Sequence, residues 1–231
     1  MIKRKRLGQH FLTSHSIAEK IVHAAKISNT ETVLEIGTGK GILINLLCKN
    51  AKKVISIDAD TKLYENAKKQ FSNIQNLELR HGDGFKTGEK FDVFVSNLPY
   101  SKSREAIEWL IQRKFERAVI MVQKEFAEKL LSNSEKRAVS VLAQYCLDME
   151  KALHVGKENF HPPPKVDSVV LSIKHKRNLP LDVIHAVNKL FSYRRKTLQN
   201  ILKQFAVVSN SKQRLDELDG DEIIKIAQQI T

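Results

Sequence analysis

The chain has 231 residues, 42% of them hydrophobic, which suits one large domain or a large and a small domain around a real core. Lys and Arg number 39 against 26 Asp and Glu, a formal net charge of +13 that favours a polyanionic partner. No apolar stretch approaches the roughly 18 residues of a membrane span, and the basic N-terminus lacks the apolar region of a secretory signal.

The first two-thirds of the chain alternates short apolar runs with amphipathic segments. In chain order, these predict a helix at 14–25, a strand at 32–36, a helix at 42–50, a strand at 54–58, a helix at 61–71, strands at 77–83 and 91–97, a helix at 103–112, a strand at 118–123 and a helix at 124–131. This alternation predicts an α/β fold with a mainly parallel sheet covered by helices on both faces.

The pattern changes near Phe160. The run H-P-P-P-K breaks any helix, and 166–174 alternates as a strand. From about Asn178 the pattern is purely helical and includes a helix over 194–203. We therefore place a catalytic domain with a basic N-terminal arm at 1–177 and a small helical domain at 178–231.

The first predicted strand runs into E-I-G-T-G-K-G, and its Gly37 and Gly39 let a ligand approach the backbone closely. The spacing is that of neither a dinucleotide-binding loop nor a phosphate-binding P-loop. Asp58 ends the second strand, 17 residues past Gly41. A carboxylate at this place can accept hydrogen bonds from both hydroxyls of a ribose. Asp83 ends the third strand and can accept from an adenine amine. Any one of these is as often a turn or cap residue, but together they predict S-adenosylmethionine rather than NAD.

The fourth predicted strand ends on N-L-P-Y, residues 97–100, where a simple turn would more often use Gly, Asp or Ser. The N6 amine of adenine is a poor nucleophile, and the Asn97 side-chain oxygen and the Leu98 carbonyl can each accept one of its N–H groups. Pro99 stiffens that carbonyl, and Tyr100 offers a face for base stacking. We predict a pocket for an unpaired or flipped adenine; a strand-ending turn with a buried Asn is the simpler alternative.

With these motifs the chain resembles the small-subunit rRNA adenine N6,N6-dimethyltransferases, whose superfamily includes the macrolide-resistance rRNA methyltransferases. The matching stretches are L-G-Q-H-F-L at 7–12, E-I-G-T-G-K-G at 35–41, G-D-G-F at 82–85, N-L-P-Y at 97–100, Q-K-E-F at 123–126, F-H-P-P-P-K-V-D-S-V-V at 160–170 and F-S-Y-R-R-K-T-L-Q-N at 191–200. The resemblance implies a class I S-adenosylmethionine-dependent methyltransferase, Rossmann-like with a small C-terminal helical domain. It implies dimethylation of small-subunit rRNA adenines, two adjacent ones near the 3′ end, and a role in subunit biogenesis.

The resemblance also implies which residues hold the cofactor. In the family, the residue after G-Q and the leucine two further on lie over the cofactor; these are His10 and Leu12 here, although Asn is common at the position of His10. Gly37, in the same loop as Gly39, would line the methionine part. Asp58 would take the ribose, where many relatives have Glu.

Further residues would act on the adenines. Asp83 would hold the adenine of the cofactor, and Asn97 would contact both cofactor and target amine. Phe160 would face Tyr100, and the two rings would hold the target adenine between them.

Basic residues concentrate in three runs: the N-terminal arm, the junction of the predicted domains, and residues 189–203, which contain no acid. One such run is usually a solvated helix face, but three predict a phosphate-tracking groove between the predicted domains. The residues that we assign to RNA are Arg4, Lys5, Arg6, Arg194, Arg195 and Lys196.

Other functions stay open on this sequence: a methylase of adenine in large-subunit RNA or DNA, or a non-catalytic ribosome-assembly factor on the same fold. The intact Asn97 and Tyr100 argue against loss of activity, and Y-R-R-K-T favours the small-subunit branch. We expect small-subunit rRNA or the pre-ribosomal small subunit as partner, a monomer, no membrane and no metal. Cys48 and Cys146, 98 positions apart in apolar surroundings, indicate free thiols and a cytoplasmic protein.

Overall fold

The computed structural model describes residues 10–134 and 136–231. Its strands are β1 (Phe11–Leu12), β2 (Thr32–Ile36), β3 (Lys53–Asp58), β4 (Leu77–His81), β5 (Val93–Ser96), β6 (Arg117–Gln123), β7 (Leu147–Val155), β8 (Phe160–His161) and β9 (Ser168–His175). Its helices are α1 (His15–Ala24), α2 (Ile44–Asn50), α3 (Thr61–Gln70), α4 (Ser103–Ile111), α5 (Lys124–Leu131), α6 (Ala138–Cys146), α7 (Leu181–Ser192), α8 (Leu198–Leu202) and α9 (Gly220–Gln229).

The large sheet has the strand order β4-β3-β2-β5-β6-β9-β7. The five strands from β4 to β6 in this order pair in parallel, and β9 is antiparallel to β6. The predicted mainly parallel sheet is therefore confirmed. Its central strands are buried along nearly their whole length, as parallel strands covered on both faces require.

The strand order reverses between β2 and β5, because β3 and β4 extend the sheet on one side of β2 and β5 and β6 on the other. Loops leaving the carboxyl ends of β2 and β5 therefore diverge and leave a crevice between them. In open α/β sheets ligands bind in such a crevice, which makes this edge the place to look for a site.

Two strands end earlier than the sequence predicted. The strand predicted to reach Asp83 ends at His81, because Gly82 turns the chain with φ of +146°. Asp83 then caps a short 3-10 turn by accepting from the Phe85 N–H at 3.1 Å. Likewise β5 ends before Asn97, at Ser96. Both polar side chains therefore lie in loops just beyond the sheet edge.

Some elements gave too weak a signal in the sequence. β7 is the last strand in the sheet order; apolar residues stand at positions 147, 149, 153 and 155, but the exposed Lys151 and Ala152 interrupt this alternation in the middle of the strand. β1 and β8 pair antiparallel over only two residues each, Phe11 opposite His161 and Leu12 opposite Phe160. Two residues are too few to show a period.

The chain divides into two compact units. Among the described residues, the first contains 10–106, 114–127 and 149–174, and the second contains 107–113, 128–134, 136–148 and 175–231. The sequence placed a single boundary after residue 177. The second unit instead combines the C-terminal segment with pieces from the middle of the chain.

The second unit is helical, with α7 packed against α6 and α9. Its apolar face on α7 is buried, including Val183, Val187 and Leu190. The helix predicted over 194–203 is wrong in its first half: residues 193–196 form a turn, in which the Lys196 N–H donates to the Tyr193 carbonyl at 2.8 Å.

No described helix is long and apolar enough to cross a bilayer. Both cysteines are free thiols.

Candidate active site

A cavity of about 940 Å³ opens in the first unit at the carboxyl ends of β2, β3, β4 and β5. This volume lies within the range of about 300–1,000 Å³ usual for small-molecule sites. The predicted site residues that line it are His10, Leu12, Gly37, Gly39, Asp58, Asp83, Asn97 and Leu98. The parallel sheet brings six of these together, because each follows or ends a strand at the same edge. The β1–β8 ladder supplies the other two.

The glycine loop is tied to Asp58 through its backbone. The Gly37 N–H donates to the Ile57 carbonyl at 2.7 Å, and the Gly39 N–H donates to Asp58 Oδ2 at 2.8 Å. The other carboxylate oxygen accepts from the Asp60 N–H at 2.8 Å. Gly37 and Gly39 have φ of +86° and +58°, the left-handed region that glycine adopts without strain. The loop is thus held open beside a fixed carboxylate.

Asp58 is a buried acid, 6% exposed. Burial raises its pKa above the usual aspartate range, although the two N–H bonds oppose that shift. A carboxylate oxygen can accept two hydrogen bonds, so each Asp58 oxygen retains the capacity for another donor. Asp83 lies in the next loop along the chain with its side chain 42% exposed. Among the described residues, the Asp83 carboxylate pairs with Lys86 at 3.9 Å, a distance typical of a weak surface pair.

The N-L-P-Y loop is joined to the glycine strand by Ser96. Ser96 is 1% exposed, and its hydroxyl donates to the Ile36 carbonyl at 2.5 Å. Within the described residues, neither the Asn97 side-chain amide nor the Leu98 carbonyl makes a hydrogen bond, yet both residues line the cavity. Two polar acceptors without partners beside an apolar cavity are ready to receive donors from a ligand.

The predicted aromatic residues lie differently from what the sequence suggested. Tyr100 does not line the cavity; its hydroxyl bonds the Ser168 hydroxyl at 2.7 Å, and burial raises its pKa. The described ring stacked on it is that of His10, with centroids 5.8 Å apart. Phe160 is 4% exposed and packs in the hydrophobic core that also contains Leu12.

A buried hydrogen-bonded group of side chains next to the glycine loop was not predicted from the sequence. The Ser56 hydroxyl donates to Glu35 Oε2 at 2.5 Å and lies 2.6 Å from the Thr38 hydroxyl. Glu35 is 1% exposed and lines the cavity. Its place before the glycines was visible in the sequence, but its partner Ser56 belongs to the neighbouring strand. Thr38, between Gly37 and Gly39, supplies the third hydroxyl-bearing or acidic side chain of this group.

The residues predicted to bind RNA are only partly described. Arg4, Lys5 and Arg6 lie outside the described residues. In the second unit, Arg194, Arg195 and Lys196 are all exposed in the turn after α7, with Lys196 Nζ 5.1 Å from the centre of the Tyr193 ring. No cluster of metal-ligating side chains occurs in the part of the chain that the structure describes.

A class I S-adenosylmethionine-dependent methyltransferase is defined by this mainly parallel sheet, its glycine loop, the acids at the end of β3 and just beyond β4, and the N-L-P-Y turn. The chain belongs to the ribosomal RNA adenine dimethylase family, whose model matches residues 2–229. This confirms the resemblance that the motifs indicated.

Individual relatives agree with that membership. The chain is 34% identical over 236 residues to the ribosomal RNA small subunit methyltransferase A of Thermotoga maritima, covering 96% of this chain and 84% of that protein. A solved dimethyladenosine transferase from Plasmodium falciparum is similar at 32% identity and a TM-score of 0.80, covering 95% of this chain and 97% of that one. The structure of the 23S rRNA methyltransferase ErmE, at 21% identity and a TM-score of 0.70, covers 95% and 99% and shares the fold.

S-adenosylmethionine is the cofactor of this family, and the cavity residues fit it. The wall near Gly37 is apolar, formed by Ile36, Leu43 and Leu98. The polar groups sit at separate places around this wall: a fixed carboxylate with free acceptor capacity at Asp58, and a more exposed one at Asp83. Such a mixture of apolar walls and a few placed acceptors suits a nucleoside with an attached amino-acid chain.

Proposed function

We propose that this protein transfers methyl groups from S-adenosylmethionine to the N6 amine of adenines in small-subunit rRNA, with N6,N6-dimethyladenosine as the end product. One observation carries the proposal. Asn97 and Leu98 are neighbouring residues that both line the cavity, and neither the Asn97 side-chain amide nor the Leu98 carbonyl has a hydrogen-bond partner among the described residues. Two neighbouring acceptors match the two N–H groups of one adenine amine.

Cofactor binding is assigned to the residues around the glycine loop. Asp58 accepts the ribose hydroxyls, Asp83 accepts from the adenine amine of the cofactor, and Gly37 and Gly39 leave room along the loop. His10 and Leu12 cover the cavity from β1. The chemistry that bound S-adenosylmethionine supplies is an electrophilic methyl group on a sulfonium sulfur.

Asn97 and Leu98 act on the target amine. Its nitrogen is a weak nucleophile because its lone pair is delocalised into the ring. When both N–H groups donate to these acceptors, the nitrogen is drawn towards a tetrahedral geometry and its lone pair is presented to the cavity. Pro99 holds the Leu98 carbonyl in place with its fixed φ of −53°. Alignment of this kind replaces a strong general base.

Stacking holds the target base. Tyr100 provides the ring, and its position is set by the hydroxyl bond to Ser168. Stacking of a base on an aromatic side chain contributes about 1–3 kcal/mol. Phe160 is proposed as the second ring; since it is 4% exposed, its part in the sandwich requires the residues covering it to shift.

The substrate proposal rests on the family and on charge. A net charge of +13 suits an RNA partner. The exposed turn with Arg194, Arg195 and Lys196 is assigned to phosphate contacts, as are Arg4 and Lys5 with the rest of the basic arm. We assign this role to the helical segment 178–231 and the catalytic role to the segment before it.

The deciding experiment compares the parent with Asn97→Ala on unmodified small-subunit rRNA. The variant loses the acceptor that orients the amine, so we expect methyl transfer to fall at least about 100-fold at saturating S-adenosylmethionine while RNA binding persists. Mass spectrometry of nuclease digests measures the products, and Asn188→Ala, on α7, is the matched control. Full activity in Asn97→Ala, or product in large-subunit RNA or DNA alone, contradicts the proposal.

We also propose that the protein acts as a monomer in the cytoplasm, where small subunits mature. Sedimentation equilibrium at micromolar concentration should give the mass of one chain, 26.4 kDa. A mass of twice that value contradicts the monomer.

A further inference from the structure

The ring of Tyr100, on which the proposed function stacks the target adenine, is already stacked in this structure. Its partner is the imidazole of His10, with ring centroids 5.8 Å apart and ring planes 29° apart. The bond between the Tyr100 and Ser168 hydroxyls, at 2.7 Å, fixes the far end of the ring. One face of Tyr100 is therefore covered by His10.

His10 stands between that face and the cavity. His10, Asn97 and Leu98 line the cavity, whereas Tyr100 does not. A base that stacks on this face of Tyr100 and presents its amine to Asn97 therefore needs the space of the imidazole. Insertion between the two rings needs about 7 Å between centroids, twice an aromatic contact of about 3.5 Å. The observed separation is too short for that arrangement.

Among the described residues, one hydrogen bond holds the imidazole in place. His10 Nδ1–H donates to the Pro162 carbonyl at 2.7 Å. The backbone that follows His10 is secured separately: β1 pairs with β8, and the Thr13 N–H donates to the Asn159 carbonyl at 2.9 Å. Rotation of the His10 side chain thus breaks one hydrogen bond and one ring contact and leaves the ladder intact.

We propose that His10 is a positioning residue that occupies the place of the target adenine on Tyr100 until the base arrives and displaces it. The inference rests on the proposed function, because it takes Tyr100 as the stacking surface. An entering base must replace the ring contact that His10 gives up. An adenine does so by stacking on Tyr100 and also donates to Asn97 and Leu98, whereas a base without an amine at that position gains the stacking alone. His10 therefore weakens the binding of every base by a common factor, and only a base that also donates to Asn97 and Leu98 offsets that cost.

The test uses adenosine 5′-monophosphate as probe, with S-adenosylhomocysteine at saturation to fill the cofactor position. Its affinity is measured by calorimetry or NMR titration for the parent, His10→Ala, His10→Phe and the control His23→Ala, an exposed histidine of α1. We expect His10→Ala to bind about 2- to 12-fold more tightly than the parent, the factor that corresponds to one aromatic pair. His10→Phe keeps a ring on Tyr100 and should match the parent or bind more weakly, and His23→Ala should match the parent.

Several results overturn the inference. Equal affinity in the parent and His10→Ala contradicts it, as does the absence of binding in both. Weaker binding in His10→Ala with parental binding in His10→Phe makes His10 a ring that stacks on the base itself. Failure of the proposed function has a different signature: Tyr100→Ala leaves nucleotide binding unchanged, or the parent transfers no methyl group to small-subunit rRNA.

Discussion

Glu35 is an acid whose ionisation is controlled by its surroundings. It is 1% exposed at the end of β2, and burial raises its pKa to about 8, with a further increase from the Asp58 charge and an opposing effect from the Ser56 hydrogen bond. A carboxyl with such a pKa is mostly protonated at neutral pH in the folded protein. In the unfolded chain it is ionised above its ordinary pKa of 4.5.

This difference makes the free energy of unfolding depend on pH. Between pH 4.5 and about 8 the folded state binds the Glu35 proton and the unfolded state does not, so stability falls as pH rises through this window. Glu35→Gln should remove that dependence, and we expect the loss of stability between pH 5.5 and 8.5 to shrink by about 1–4 kcal/mol. Urea unfolding at both pH values measures it, with the exposed Glu19→Gln as control. An unchanged pH slope in Glu35→Gln contradicts a buried, protonated Glu35.

Asp58 differs from Glu35 in that its proposed role, accepting hydrogen bonds from the ribose hydroxyls, requires the ionised carboxylate. Asp58→Asn keeps the shape of the side chain but removes that charge. We expect S-adenosylhomocysteine to bind roughly 10- to 150-fold more weakly, the loss of a charged hydrogen-bond acceptor. Because burial raises the Asp58 pKa, parental affinity should also begin to fall, on acidification, at a higher pH than for an ordinary aspartate. Calorimetry tests both points; the exposed Asp148→Asn is the control, and unchanged affinity in Asp58→Asn removes this residue from the site.

At the scale of elements, the turn between α7 and α8 has the most distinctive charge. Residues 189–203 contain five basic side chains and no acid. Three of these, Arg194, Arg195 and Lys196, are exposed where the predicted helix gives way to a turn. A turn can present neighbouring side chains towards one phosphate backbone, whereas an intact helix would spread them around its axis.

Replacement of Arg194, Arg195 and Lys196 by Ala should weaken RNA binding and flatten its salt dependence. Each lost phosphate contact lowers the slope of log affinity against log salt by about 0.7–0.9. The slope is measured by filter binding to small-subunit rRNA at KCl concentrations from about 50 to about 300 mM, where counterion release dominates the salt dependence. The control removes the same charge from the exposed Lys20, Lys68 and Lys69, and cofactor affinity should not change. Parallel salt titrations of variant and parent would place the RNA elsewhere.

At the scale of the whole molecule, the product depends on how the base is held through two transfers. After one methyl group is added, the amine keeps a single N–H, so only Asn97 or Leu98 can still accept from it. The second transfer therefore depends more on stacking than the first. The monomethyl form should rise early and then disappear as N6,N6-dimethyladenosine accumulates.

Phe160→Leu tests this dependence, because Leu keeps an apolar side chain in the core while the ring is lost. An Ala there would leave a cavity and cost about 3–5 kcal/mol of stability. We expect monomethyladenosine to accumulate in Phe160→Leu but not in Phe91→Leu, whose phenylalanine is buried to a similar degree, at 6% against 4% exposed. Mass spectrometry of a time course gives the ratio. Monomethyladenosine as the final product of the parent contradicts the dimethyl assignment.

Much of the sheet was predictable, because its signals are local. The run that became β6 contains five consecutive apolar residues, and the strand β2 and the helix α5 were predicted with the bounds that they have. Elements whose stability comes from distant partners were not predictable. The alternation of β7 is interrupted at Lys151 in its middle, and β1 is two residues long and is defined by its pairing with β8, about 150 residues away.

The sequence by itself determined the family and the presence of the glycine loop, Asp58, Asp83 and Asn97, because each is a short motif whose chemistry depends on residue type and spacing. It also determined the succession of the five parallel strands along the chain. Only the tertiary structure decided what surrounds these groups. It buried Glu35 beside Ser56 of the next strand, and it laid the His10 ring on Tyr100. The reason is physical: pKa and stacking depend on neighbours in space, and a parallel sheet brings together side chains that the sequence keeps far apart.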